Sequence, residues 1–224
     1  LTSPTAARVA VSRGALAANA RRVAAHGGIA DLRRDAYGHG AGVVASALFD
    51  AGVRSVVADE RDREAVARAG LAVTDVSPTI DPRALFGLPG SAGEPALRLS
   101  ASVLSVKRLR AGEGVSYNYT HIAPRDTRIA LVSGGFGQGV VRALGNRVSV
   151  EIGGAVHPIV GRVAMDVCVV DVGAAPVARF DEVVYFGGAG PARHALAEWE
   201  RATGLRGTEL VGALGLRLAR EVVA

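Results

Sequence analysis

"GIADLRRDAYGHGAGVVASALFDAG", residues 28–52, decides the fold of the first third of the chain. Its opening, "GIADLRRD", predicts a short strand that ends in a turn. Glycines at 38, 40 and 42 then punctuate the chain. "GAGVVASALFDAG" follows as an apolar helix stopped by Gly52, because glycine takes the left-handed conformation that closes helices. Working outward, residues 13–26, "RGALAANARRVAAH", have helical spacing, with Leu16, Ala20 and Val23 on one face. "VRSVVAD" reads as a second strand and "RDREAVARAG" as a second helix ending at Gly70. "AVTDV" is a candidate third strand. Residues 8–75 therefore alternate helix and strand, the pattern of a parallel sheet covered by helices.

The pattern changes after residue 76. "SPTIDPRALFGLPGSAGEP", residues 77–95, is rich in Pro and Gly and reads as irregular connection. Beyond it, apolar residues fall in short alternating runs. "ALRLSASVLSVKRL", "TRIALVSGG", "RVSVEIGG", "AVHPIVGRV", "DVCVVDVG" and "DEVVYFG" are six candidate strands separated by turn residues. They predict a small barrel or sandwich. Residues 195–203 and 208–222 read as closing helices. The fold class is α+β, with two domains at 1–88 and 97–224.

Composition narrows the function. Apolar residues make up 49% of the 224, enough for a sizeable core, while aromatics are only 4%. No apolar run is long enough to span a bilayer. The chain starts at Leu1, and no basic start followed by an apolar run marks a signal peptide, so the cytoplasm is the expected compartment. The net charge is +5 and is carried by arginine, with Lys107 as the single lysine. These arginines are dispersed and not interleaved with aromatics, so a nucleic-acid partner is not expected. The single cysteine, Cys168, excludes an internal disulfide framework and reads as a small buried residue. His121, His157 and His194 have no metal-ligand spacing. "GGFGQG", residues 134–139, matches a phosphate loop by letters but reads as a tight turn. Asp166 reads as a strand-pairing or capping carboxylate.

Three stretches, in order, resemble the alanine racemase family. They are "DAYGHG" (35–40), "LRAGEGVSYNYTHIAPRDTRIALV" (109–132) and "IVGRVAMDVCVVDVG" (159–173), the last with a G-R-x-x-M-D signature. The tail "TELVGALGLRLAR" (208–220) is similar to the family's final helix and arginine, and "PRALFGL" resembles its last barrel strand. The resemblance implies a parallel β/α barrel that binds pyridoxal phosphate, followed by a β-rich domain, in a head-to-tail homodimer. A lysine would hold the cofactor as a Schiff base and act as a base on one face. A tyrosine of the other subunit would act on the opposite face.

Carried over residue by residue, the resemblance makes Tyr117 the catalytic tyrosine, although Asn118 stands where the family usually has glycine. Tyr37 falls on a tyrosine that bonds the cofactor phosphate, His39 lies in the same motif, and Met165 falls beside the substrate carboxylate. The position near Leu216 is where the family often has a phosphate-binding tyrosine. The Schiff-base position itself holds Arg33, which stays protonated at ordinary pH and forms no such bond. A complete (β/α)8 barrel needs about 250 residues, so the resemblance implies a barrel without its middle. The expectation is a family member without covalently bound cofactor or classical racemase activity. Arg33 would hold an anion or only pack, Tyr37 and His39 would bind or only support the turn, and Tyr117 would be catalytic or an interface residue. Two alternatives stay open: a cofactor-independent enzyme using Tyr117 and a polar pocket, and a residual racemase.

Overall fold

The computed structural model describes residues 6–25, 27–215 and 217–224. The chain forms two compact units. Among the described residues, one contains 6–9, 98–205 and 217–219, and the other contains 10–25, 27–97, 206–215 and 220–224.

The second of these units carries the helical spacing seen in the sequence. Strand β1 (Arg8–Ser12) buries Val9 and Val11 and ends at Ser12, whose side chain accepts the Ala15 N–H at 3.1 Å. That bond caps helix α1 (Arg13–Ala24) and satisfies one of its free amides. Leu16 and Ala20 are buried on one face, as the spacing predicts. Asn19 is buried with them. Its side chain pairs with the Glu94 backbone in both directions, each bond 2.8 Å, so its polarity is satisfied. Strand β2 (Ala30–Asp31) leads through residues 33–37 to helix α2 (Ala41–Asp50), which buries Ala41, Val44, Ala45 and Leu48. Strand β3 (Ser55–Val57), helix α3 (Arg63–Arg68) and strand β4 (Ala72–Val73) repeat the unit. The three strands form a parallel sheet in the order β2-β3-β4, with Asp31 opposite Val57.

"PRALFGL" is not a strand. It is helix α4 (Pro82–Phe86), capped by the Asp81 carboxylate on the Arg83 N–H at 2.8 Å, with Pro82 in the first turn. Proline suits that place because the first-turn amide has no helical partner. Gly87 ends the helix at φ 64°, and a Cβ there would lie 1.9 Å from the Glu94 carbonyl oxygen.

The other unit contains the six alternating segments, and they close into a barrel. Strand β5 (Leu97–Leu109) is long and bulged between Val103 and Ser105. A short hairpin follows, β6 (Gly114–Val115) with β7 (His121–Ile122). Strands β8 (Thr127–Ser133), β9 (Ser149–Ile152), β10 (Ala155–Val160), β11 (Val167–Asp171) and β12 (Glu182–Phe186) complete the set. The order β12-β9-β10-β11-β8-β5 is antiparallel throughout and returns from β5 to β12, which removes the open edges. Alternation along β9 and β11 sends Val150, Ile152, Cys168 and Val170 into the core.

Helix α5 (Leu196–Thr203) lays the buried Trp199 edge-on against Tyr185 and Phe186. Cys168 is buried as expected. Its Sγ lies 3.2 Å from the Tyr185 hydroxyl, and burial pushes the thiol pKa up to about 12. The last predicted helix is too long. Helix α6 spans Gly207–Gly215, and strand β13 (Arg220–Val223) follows beside β1 in the sheet order.

Candidate functional site

The three parallel strands point their C-terminal ends to one side, where open α/β sheets place ligands. Asp31 ends β2, and Asp59 stands two residues beyond β3. Between β2 and α2 the backbone does something rare. Arg34, Asp35, Ala36 and Tyr37 have φ of 57, 55, 53 and 53°, four successive non-glycine residues in the left-handed region. Each costs about 1 kcal/mol or more for an L-residue. Such a run persists only where its surroundings over-determine it.

The surroundings are three carboxylates. Asp31 accepts the Arg33 N–H at 3.0 Å, the Arg33 guanidinium through Nε at 2.9 Å and Nη2 at 2.6 Å, and the Tyr37 hydroxyl at 3.0 Å. Asp59 accepts the Arg34 N–H at 2.7 Å. Asp35 accepts the Ala41 N–H at 2.7 Å, capping α2, and pairs with Arg220 at 2.5 Å. Arg220 also donates to the Gly38 carbonyl at 3.0 Å. On the other side Gly38 rests on α6, and its missing Cβ would lie 2.7 Å from the Gly215 Cα.

These contacts set the electrostatics. Burial alone would raise the Asp31 carboxyl, but hydrogen bonds from Arg33 and Tyr37 outweigh it and hold it below the ordinary range. The same bond to Asp31 pushes Arg33 further above its ordinary value. Burial, then the bond to Asp31, raises Tyr37 to about 12. His39 is fully buried, stacked on Phe86 at 4.1 Å, with Nδ1 3.0 Å from the Ala36 carbonyl and Nε2 without a partner among the described residues. Burial lowers it to about 4, so it is neutral near pH 7.

Asp31, Arg33, Arg34, Tyr37 and Asp59 line a cleft of about 440 Å³. Arg33 and Tyr37, both expected at a binding site, are therefore brought together. His39 is not among the lining residues and packs beneath the turn. Asp31 and Asp59 were not among the expected site residues, although the sequence holds a signal for them: each is a carboxylate at the end of an apolar strand segment, "IAD" and "VVAD".

Tyr117 and Met165 belong to the other unit. Tyr117 opens a 3-10 turn, Tyr117–Tyr119, between β6 and β7. Ser116, Asn118 and Tyr119 have φ of 60, 61 and 46°. The turn is tied down by its flanks, with Ser116 Oγ donating to the Arg162 carbonyl at 2.7 Å and Asn146 Nδ2 reaching Thr120 Oγ1 at 3.2 Å. Tyr117 is 67% exposed, and its hydroxyl has no partner among the described residues. Met165 is also exposed, while its carbonyl accepts the Gly137 N–H at 2.8 Å. "GGFGQG" is a turn packed against residues 164–166. Gly135 lies so close that a Cβ would sit 2.4 Å from the Ala164 and Met165 carbonyl oxygens. Asp166 accepts the Gln138 side chain at 2.9 Å. Lys107 is exposed on β5. The position near Leu216 lies outside the described residues.

Among the described residues no group of His, Cys, Asp or Glu is placed to hold a metal ion. No helix among them is long and apolar enough to cross a membrane.

Comparison with known proteins adds the following. Residues 96–222 match the family model for the alanine racemase C-terminal domain. The chain is 40% identical over 155 residues to an alanine racemase of Mycobacterium leprae, covering 68% of this chain and 38% of the relative. It is 40% identical over 177 residues to one of Mycobacterium ulcerans, covering 76% and 46%. The chain thus spans less than half the length of these curated relatives. By fold, it is similar to alanine racemase from D-cycloserine-producing Streptomyces lavendulae, with TM-score 0.81 and 20% identity, covering 100% of this chain and 98% of that one. It is also similar to alanine racemase from Bartonella henselae with covalently bound pyridoxal phosphate, with TM-score 0.76 and 18% identity, covering 97% and 99%.

Proposed function

The chain belongs to the alanine racemase family, and we propose that it is a member that binds a small molecule or anion without forming a Schiff base. The observation that carries this is the state of Arg33. A Schiff base needs a neutral amine, and a guanidinium does not supply one. Here it is committed further: two of its nitrogens are bonded to Asp31, and its pKa is raised by that contact.

The residues present do not fit covalently held pyridoxal phosphate, the group named for the Bartonella henselae structure. The single lysine, Lys107, lies in the other unit, on a barrel strand. Tyr37, which the family resemblance assigns to the cofactor phosphate, spends its hydroxyl proton on Asp31. His39 is buried against Phe86.

The three-stranded sheet is, on this reading, an internally shortened barrel. Support comes from a structural likeness that reaches end to end on both chains, beside sequence matches that span less than half of the relatives. A homodimer is part of the proposal. The family resemblance implies one, and Tyr117, Tyr119, Ile122 and Met165 expose apolar surface on the barrel unit. A cofactor-independent chemistry at Tyr117 has less support, because no base or acid bonds its hydroxyl among the described residues.

The test is direct. The protein is incubated with pyridoxal phosphate, reduced with borohydride, and its intact mass measured. The expected result is no L-alanine racemisation by polarimetry, with any added mass confined to amines outside the cleft such as the exposed Lys107. A single reduced adduct together with racemisation would overturn the proposal. Arg33→Lys then asks whether an amine at this position restores labelling.

A further inference from the structure

The cleft at the strand ends is lined by two guanidiniums and two carboxylates, and they are not equivalently paired. Asp31 is matched by Arg33, which donates through Nε and Nη2. Asp59 lies 3.8 Å from Arg61. Arg34 is different. Its backbone N–H is fixed by Asp59 at 2.7 Å, but its guanidinium has no hydrogen bond or ion pair among the described residues. It is the unmatched charge of the cleft. Beside it, Nη1 of Arg33 is also unbonded among those residues.

We propose that Arg34, with the spare Nη1 edge of Arg33, grips a small oxyanion, a phosphate monoester or a carboxylate, in this cleft. The inference rests on the reading of the cleft as a non-covalent site, and it shifts the anion-binding role from Arg33 to its neighbour. Arginine forks match the planar oxygens of carboxylate and phosphate and bind them by paired, charge-assisted hydrogen bonds. The cleft, about 440 Å³, takes a ligand of that size.

The backbone supports the same reading. Arg34 begins the left-handed run at φ 57°. A left-handed conformation turns its side chain away from the path that a helix or strand would give it. The chain holds this costly geometry with Asp59 on the Arg34 amide and Asp35 on the Ala41 amide. Asp31 meanwhile balances the charge of Arg33 and takes its Nε and Nη2, leaving Nη1 of a half-exposed side chain without a partner among the described residues. One arginine is therefore oriented by a carboxylate and the next is left open. That division suits capture of an anion better than capture of a cation.

The experiment is calorimetric titration of the intact protein with inorganic phosphate and, separately, with malonate, in low-salt buffer and again with added salt. The expected result is saturable binding of at least one probe that weakens with salt, because the site is exposed. Arg34→Gln should weaken it by about tenfold or more, the size of one charge-assisted interaction. Arg34→Lys should recover part of the affinity, since the charge returns without the fork. Phosphate alone, malonate alone or both would each support the proposal and identify the anion class. Binding of neither, or equal binding by wild type and Arg34→Gln, would overturn it. Circular dichroism shows whether each variant is folded, and Arg34→Lys supplies a second, conservative readout. A borohydride-trapped cofactor adduct that comes with racemisation would sink the non-covalent reading while leaving the phosphate result standing, so the two failures are distinguishable.

Discussion

Two turns in this molecule combine left-handed backbone with a tyrosine expected at a site, and they differ in what holds them. In the turn at Arg34–Tyr37 the Asp59 carboxylate holds the Arg34 N–H, Tyr37 donates its hydroxyl to Asp31, and the turn's own Asp35 reaches out to the Ala41 N–H. In the turn at Ser116–Tyr119 the bonds come from the flanks, Ser116 and Thr120, and the Tyr117 ring stands in solvent with its hydroxyl unbonded among the described residues. The first geometry is built around charge, with its hydrogen bonds formed without a ligand. The second is a surface held in shape from below. Preorganised polar groups favour recognition of a small ligand, whereas exposed aromatic rings favour contact with another surface.

The largest effect that would break this comparison is a pH effect at His39, on which the first turn sits. Its folded value of about 4 lies below the ordinary 6.5, with burial as the main cause. Between those values the unfolded chain binds a proton that the folded chain does not. Stability from this group is therefore fully present above pH 6.5 and is lost as pH falls toward 4. The expected loss is about 3 kcal/mol. Urea denaturation from pH 7.5 to 4.5 measures it, and His39→Leu should flatten the slope in that window. A wild-type slope unchanged by His39→Leu would show that the turn does not rest on a neutral, buried imidazole. The depressed Asp31 carboxyl acts in the same sense at lower pH, since its contribution is lost as pH falls through its folded value.

Next in size is the carboxylate that organises the first turn. Asp31→Asn keeps the shape but removes the charge that accepts from Arg33 and Tyr37. Asp31 is only 8% exposed, while the Arg33 side chain is 52% exposed, so the released guanidinium is partly rehydrated. The expected destabilisation is about 2 kcal/mol, below the cost of breaking a fully buried pair. The Tyr37 pKa should fall from about 12, because its second cause is the bond to Asp31, while burial still keeps it above 10. Ultraviolet titration of tyrosinate reads that shift. An unchanged tyrosine titration would mean that Asp31 does not hold Tyr37.

How far these features could be read from sequence follows from their range along the chain. The six barrel strands were legible, because alternation and Gly-rich turns are local and a barrel buries one face of each strand. Helices α1 to α3 were legible for the same reason. Strand β13 was not. "REVV" continues the apolar spacing of the helix before it, and only its place beside β1, at the other end of the chain, makes it a strand. "PRALFGL" resembles a strand, but the Asp-Pro pair at its start is a helix-start signal, and that local signal decides its structure. The "DAYGHG" motif points to Arg33 and Tyr37, and both line the cleft. The left-handed run was not legible, since no residue in "RDAY" favours it except Asp35. Asp59 was missed because it is brought to the turn by the pairing of β2 with β3, a contact between segments 25 residues apart.

The smallest expected effect sharpens the other side of the comparison. Tyr117→Ala removes a ring that is 67% exposed and a hydroxyl with no partner among the described residues. Stability of the dilute protein should change by no more than about 0.5 kcal/mol, as for other exposed positions without special contacts. Ser116, Asn118 and Tyr119, at φ 60, 61 and 46°, and not Tyr117, carry the conformational cost of the turn. If the ring serves an interface, the same substitution should instead raise the concentration at which the protein self-associates, read by sedimentation velocity. A large loss of stability in dilute solution would show that Tyr117 is a structural part of its turn, as Tyr37 is of the other, and the contrast between them would fail. An unchanged stability with weakened self-association would place the two tyrosines in different roles, Tyr37 turned inward to Asp31 and Tyr117 outward to a second surface.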